Sequence, residues 1–171
     1  MVLEYVGPVS NEVVGRGGVA DKGKEGDGIT PIGTFRLGHV RYRADRGDPP
    51  ATLGMAVIPI QPTDGWCDDP ADAEHYNRPV NLPHPTSTES LHLDSPVYDI
   101  LVEIEYNTTP VVPGRGSAIF LHVASDDFGP TAGCVGLRRE HLLAVLAGCD
   151  KETLITIRRG KERGADVASS L

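Results

Sequence analysis

Apolar and polar positions along the chain follow the pattern of short strands separated by long turns. Ile100, Val102, Ile104 and Tyr106 alternate with Asp99, Glu103 and Glu105, the period of two that marks a half-buried strand. Residues 117–123 read SAIFLHV, nearly continuously apolar, between PGRG and SDDFGP, which predicts a central strand covered on both faces. TLITIR at 153–158 predicts another strand, as do residues 33–42 and 55–60, and LEYV and EVVG near the N-terminus predict a short hairpin. One helix is predicted over 138–147, where Leu142 and Leu146 lie one turn apart beside Leu143 and Gly148 supplies the stop. Two stretches rich in Pro and Gly, 21–33 and 61–88, predict loops, and loops of that length in a compact domain are usually functional. Residues 160–171 are polar and predict a frayed tail, so one mostly-β domain over 1–159 is expected, without internal repeat.

Composition narrows the function. The 171 residues include 20 Gly and 14 Pro, too many for a helical bundle. The net charge of -8 makes nucleic acid an unsuitable partner, because phosphate neutralisation needs a basic face. No apolar run approaches the roughly 18 residues of a membrane-spanning helix, and MVLEYVG has neither the basic start nor the apolar run of a signal peptide. Cys67, Cys134 and Cys149 are odd in number, and no CxxC or HExxH occurs among them and the scattered histidines, so no metal or cofactor is expected. Asp126 and Asp127 read as a turn, since two acids fall short of an oxygen cage for calcium.

The chemistry-bearing segment is IFLHVASDDFGPTAGCVGLRREHL. His122 closes the buried strand, and Cys134 follows Thr131, Ala132 and Gly133 just before the helix. A neutral His withdraws the thiol proton and leaves the nucleophilic thiolate. Gly133 lets another backbone come close to the sulfur, and the N–H groups of Gly133 and Cys134 could face a developing oxyanion. The ordinary readings of the same residues are a packed thiol and a hydrogen-bonded core histidine.

The stretch resembles the catalytic motif of the YkuD-type L,D-transpeptidases, a strand His followed by a Ser/Thr-His-Gly-Cys box, here Thr131-Ala132-Gly133-Cys134. KEGDGITPIGTF at 24–35 resembles the family's Thr-Pro-x-Gly-x-Phe segment, and GWCDDP with YNRPVNLP resembles its short proteobacterial members. The resemblance implies a single-domain β-sandwich with one main helix after the cysteine. It implies that Cys134 attacks a peptidoglycan stem peptide, that His122 is general base and then acid, and that Thr131 helps to orient His122. The acyl-thioester passes to the amine of meso-diaminopimelate, giving 3,3 links or L-Ala–diaminopimelate 1,3 links. Carbapenems are implied as acylating ligands and the periplasm as the compartment, although no leader is visible in MVLEYVG. Rival readings are an L,D-carboxypeptidase or amidase using the same pair, and a non-catalytic murein-binding module, against which the intact His and Cys argue.

Two positions depart from the family pattern. Ala132 replaces the His two residues before the Cys, and Gly136 replaces the Arg two residues after it. Arg138 and Arg78 are therefore the candidates for holding a substrate carboxylate. In the loop at 61–85, Trp66 and Tyr76 are expected to offer aromatic faces to substrate and Asp69 to hold an amine, whereas His75 and His84 read as ordinary loop residues. Cys67 and Cys149 could pair in an oxidising compartment.

Overall fold

Whether a strand is covered on one face or both decides where a site can lie in this chain. The computed structural model describes residues 2–6 and 12–159, and for residues 3–6 the backbone alone. Its strands are β1 (Val2–Val6), β2 (Glu12–Val13), β3 (Val19–Ala20), β4 (Thr30–Pro31), β5 (Gly33–Tyr42), β6 (Val57–Pro59), β7 (Asp64–Cys67), β8 (Pro79–Asn81), β9 (Thr88–Ser90), β10 (Ile100–Ile104), β11 (Phe120–Val123), β12 (Val135–Leu137) and β13 (Leu154–Arg158). One helix, α1 (Arg139–Leu146), lies between the last two. The main sheet has the order β1-β13-β5-β10-β11-β12-β2, with β6 also on β5. The β1–β13, β11–β12 and β5–β6 pairs are parallel and the other neighbours antiparallel. Two small sheets complete the fold, β3-β4 and β8-β7-β9.

The central strands are buried on both sides, as the run at 117–123 predicts. Ile100, Val102 and Ile104 of β10, Leu121 and Val123 of β11, and Val135 and Leu137 of β12 face one core, closed by Leu142 and Leu146 of α1. Leu101, Phe120 and Cys134 face a second, smaller core with Trp66 and Tyr98. The alternation in β10 is broken at Leu101 because this second face is also covered. Both cores thus meet on β10 and β11, and the second is the one that carries the chemistry.

Several expectations change. No N-terminal hairpin forms: β1 runs parallel to β13, and β2 pairs with β12 at the other end of the sheet. The stretch 61–88 is not a plain loop, since β7 pairs with β8 and β9 there, and β4 lies within 21–33. Strand pairing satisfies backbone groups that a loop of that length would leave to water. Cys67 and Cys149 do not pair: both thiols are free and buried, the second in the main core with its Sγ donating to the Val145 carbonyl at 3.2 Å. The expected tail at 160–171 lies outside the described residues. No described helix is long and apolar enough to cross a membrane.

Leu142 is 0% exposed and Leu143, its neighbour, 36%. Truncating a fully buried Leu costs about 2–5 kcal/mol, whereas a half-exposed one costs much less. Leu142→Ala should therefore lower the urea midpoint by far more than Leu143→Ala. Equal midpoints for the two variants would contradict the burial assigned to α1.

Candidate active site

The segment before β12 is fixed by a closed set of hydrogen bonds. The Thr131 hydroxyl donates to the Cys134 carbonyl at 2.7 Å and accepts the Gly133 N–H at 3.1 Å. The Thr131 N–H donates to the Val14 carbonyl and its own carbonyl accepts the Arg16 N–H, both at 2.9 Å, which tie the turn to the chain after β2. Gly133 has φ of +145°, and a Cβ there would lie 3.0 Å from the Ile29 carbonyl oxygen and 3.2 Å from Ile119 Cδ1. Only glycine fits this conformation and this close approach.

Cys134 follows, 7% exposed. Its Sγ accepts the Phe120 N–H at 3.4 Å and donates to the Ala118 carbonyl at 3.2 Å. Ala118 sits at φ of +52°, unusual for a residue with a side chain. Its N–H donates to Asn77 Oδ1, which also takes the Trp66 Nε1–H. Burial pushes the thiol up to about 12, with nearby Glu89 adding to the rise, against smaller opposing effects of the Phe120 N–H, Tyr98 and Lys22. The resting group is therefore a neutral thiol.

His122 faces the same side as Cys134, because Leu121 pairs with Val135 and His122 with Gly136 across β11 and β12. It is 4% exposed, and burial pulls its pKa below the ordinary 6.5 against the opposing bond to Val123. Its Nδ1 lies 2.8 Å from the Val123 carbonyl, which can only accept, so Nδ1 carries the proton and Nε2 the lone pair. Tyr98 packs edge-on to the ring at 5.5 Å between centroids. The orienting partner is thus Val123, not Thr131, whose hydroxyl is already engaged within its own turn.

Cys134, His122 and Thr131 all line one cavity of about 480 Å³. Among the described residues around it, Lys22 is the one Lys or Arg, and Glu25, Asp68 and Glu89 are the acids. Lys22 Nζ pairs with Asp27 at 2.6 Å with its side chain 2% exposed. Burial acts to raise the Asp27 carboxyl, but the Lys22 ammonium and the backbone N–H groups of Ile29 and Lys24 outweigh it and bring it to about 2. A Cβ on Gly133 would be 3.6 Å from the Lys22 ammonium, which places this cation beside the turn that carries Cys134. Glu25 accepts the hydroxyls of Tyr76 at 2.5 Å and Ser117 at 2.6 Å, and Glu89 accepts that of Tyr98 at 2.5 Å. Asp68 Oδ1 is buried with no hydrogen-bond partner.

A family model for the L,D-transpeptidase catalytic domain, YkuD, matches residues 4–157. The chain belongs to the YkuD family of L,D-transpeptidases. Comparison with curated proteins and with solved structures gives no match. The mostly-β fold with a single helix among the described residues is the YkuD β-sandwich.

Against that family's pattern the Gly136 departure has a steric cause. A Cβ at Gly136 would stand 2.6 Å from Val13 Cγ2, and Val13 lines the cavity. Apolar surface from β2 occupies the place from which a longer side chain would reach the site. The two arginines expected to compensate lie elsewhere. Arg138 stacks its guanidinium 4.5 Å from the Phe128 ring centroid, and Arg78 is exposed, with neither lining the cavity. Trp66 and Tyr76 are buried at 6% and 0%, so they support the cavity wall from behind instead of offering faces to substrate. Asp69 caps a turn through the Ala71 N–H at 2.9 Å and the Ser87 N–H at 3.5 Å. Lys22, Glu25, Asp68, Glu89 and Tyr98 form the polar wall that sequence reasoning missed. The nearest signals were the Lys-Gly-Lys-Glu run before the Thr-Pro motif and the Cys-Asp-Asp triplet.

The two shifts set a pH dependence. A depressed His122 is already neutral, and so able to accept a proton, above a pH lower than 6.5. If it serves as the base, kcat/KM rises with pH through a midpoint below 6.5 and is flat across neutrality. Alkylation of Cys134 by iodoacetamide at pH 7 should be slow relative to a free cysteine and accelerate as pH rises towards the thiol's own value near 12. An ascending limb above pH 8 in a full rate profile would show that a preformed thiolate is needed, contrary to this expectation.

Proposed function

We propose that the protein is a cysteine acyltransferase acting on peptidoglycan stem peptides, with Cys134 as nucleophile and His122 as general base and acid. The observation that carries this reading is the shared cavity: a buried thiol on a glycine-dependent turn and a histidine whose lone-pair nitrogen is fixed by Val123. The Cys134 proton passes to His122 Nε2 as sulfur bonds to the scissile carbonyl carbon. The C–N bond then breaks, His122 returns the proton to the leaving amine, and a thioester remains. An acceptor amine attacks it, His122 takes the amine proton, and the thiolate leaves and is reprotonated. The Gly133 N–H is held by Thr131 Oγ1, so oxyanion stabilisation falls to the Cys134 N–H.

The cavity's charges support an amine acceptor over water. Glu25, Asp68 and Glu89 form an acidic side, and the unpartnered Asp68 oxygen fits a substrate ammonium such as that of meso-diaminopimelate. Lys22, the one cation lining the cavity among the described residues, is already paired with Asp27, so it would meet a substrate carboxylate only by sharing that partner. This favours transpeptidation over hydrolysis by the same pair. The link is 3,3 or, given Ala132 and Gly136, 1,3 through L-Ala. Such a substrate places the enzyme in the periplasm, and a carbapenem is expected to acylate Cys134 slowly.

Purified disaccharide-tetrapeptide, incubated with the protein and resolved by mass spectrometry, tests this reading. Dimers are expected, and their fragmentation assigns the link; trimmed monomers alone would mean hydrolysis. Cys134→Ala should give no product while remaining folded. Arg138→Ala and Arg78→Ala should keep near-parental rates, and a large loss in either would return the carboxylate to an arginine.

A further inference from the structure

We propose that Cys67, Asp72 and His84 form a binding site for one zinc-type divalent cation, separate from the thiol–imidazole pair. The three residues fall within one stretch of the chain, positions 67 to 84, which the small sheet folds back on itself. Cys67 ends β7, Asp72 stands in the turn that follows, and His84 lies between β8 and β9. One ligand atom from each, a sulfur, a carboxylate oxygen and an imidazole nitrogen, lies within 4.8 Å of the other two. Around tetrahedral zinc, with bonds of about 2.0–2.3 Å, such atoms stand roughly 3.3–3.8 Å apart. Shifts of about an ångström or less per ligand take the atoms to that spacing, with the His84–Asp72 hydrogen bond at 2.9 Å opening slightly.

The donor chemistry fits as well as the spacing. A thiolate, a carboxylate and a neutral imidazole balance the charge of a divalent cation. Mixed sulfur and nitrogen donors select zinc over magnesium or calcium, which take oxygen. Supporting groups are also in place. His75 Nδ1 lies 2.9 Å from Asp72 Oδ1, and the Thr86 hydroxyl donates to Asp72 Oδ2 at 3.1 Å, so the carboxylate is held in orientation from both sides. Such outer contacts are a regular part of metal sites. His84 Nε2 lies 2.9 Å from Asp72 Oδ2 and its ring packs edge-on to His75 at 5.0 Å. The His84 and Asp72 side chains are 10% and 13% exposed, whereas His75 at 43% marks the side open to solvent, where water supplies the fourth ligand.

Hydrogen bonding alone accounts for Asp72 but not for Cys67. That thiol is 0% exposed, and its partner among the described residues is the Thr86 hydroxyl at a distant 3.8 Å. On binding, a Zn–S bond forms and the S–H proton leaves to solvent, with no change of oxidation state. The ion would clip β7 to the segment between β8 and β9. Asp68, on the cavity wall, is the next residue after Cys67, so the clip would also steady the acidic side of the active site.

The test uses the untagged full-length protein, reduced and freed of metal by a chelator that is then removed. Titration with Co²⁺ is expected to give one equivalent bound, with visible d–d bands of a four-coordinate ion and a near-ultraviolet thiolate-to-cobalt band. One equivalent of Zn²⁺ should abolish both and raise the melting temperature. Cys67→Ser should lose the thiolate band, and His84→Gln should weaken Co²⁺ binding tenfold or more, while Cys134→Ala keeps the spectrum intact. The proposal is overturned if the parent shows no thiolate band. It is equally overturned if the band survives Cys67→Ser, disappears in Cys134→Ala, or if His84→Gln binds as tightly as the parent.

Discussion

The buried second face of β11 is the constraint on which the rest depends. Strand β11 carries Leu121 and Val123 into the main core and Phe120 and His122 to the opposite side, where Cys134 arrives beside them on the adjoining turn. Because that side is closed by Trp66 and Tyr98 instead of by water, both functional groups are uncharged at rest. Burial raises the thiol and lowers the imidazole, the reverse of what a standing thiolate–imidazolium pair needs. A neutral, buried thiol is also less open to oxidation than a standing thiolate.

The same burial makes the few charges in the cavity matter. In water a carboxylate two or three bonds from a reacting centre is screened, but in a partly dry cavity it is felt strongly. One cation, Lys22, stands beside the Cys134 turn, held by Asp27, while the acids Glu25, Asp68 and Glu89 occupy the other wall. Two of these acids are stabilised by phenol or hydroxyl donors, and Asp68 keeps an oxygen without a partner. A zwitterionic substrate, with carboxylate and ammonium at opposite ends, matches this division.

Much of this was legible in the sequence. The apolar run at 117–123 and the helix over 138–147 carry strong periodic signals, and both appear, as β11 and as α1 at Arg139–Leu146. That His122 and Cys134 share one cavity was legible because the strands that carry and follow them are consecutive neighbours in the sheet. What could not be read depends on non-local pairing. The N-terminal hairpin failed because β1 and β2 have better partners in β13 and β12, far along the chain. Trp66 and Tyr76 look like surface aromatics in a polar loop, yet the β8-β7-β9 sheet turns them inward. Arg138 is near Cys134 in sequence, but its guanidinium is drawn to the Phe128 ring. Lys22 and Asp68 reach the cavity from segments more than fifty residues from the catalytic box, with no local pattern to announce them.

The central claim is that Cys134 forms a thioester with a stem peptide through His122. The most direct measurement is intact-protein mass spectrometry after rapid acid quench, with a stem peptide whose amines are acetylated so that it can donate but not accept. The account predicts a covalent adduct of the donor acyl group, located on the peptide containing Cys134 after digestion and greatly reduced in His122→Gln. An adduct on Cys67 or Cys149, or product formation with no adduct at any quench time and undiminished by Cys134→Ala, would contradict it.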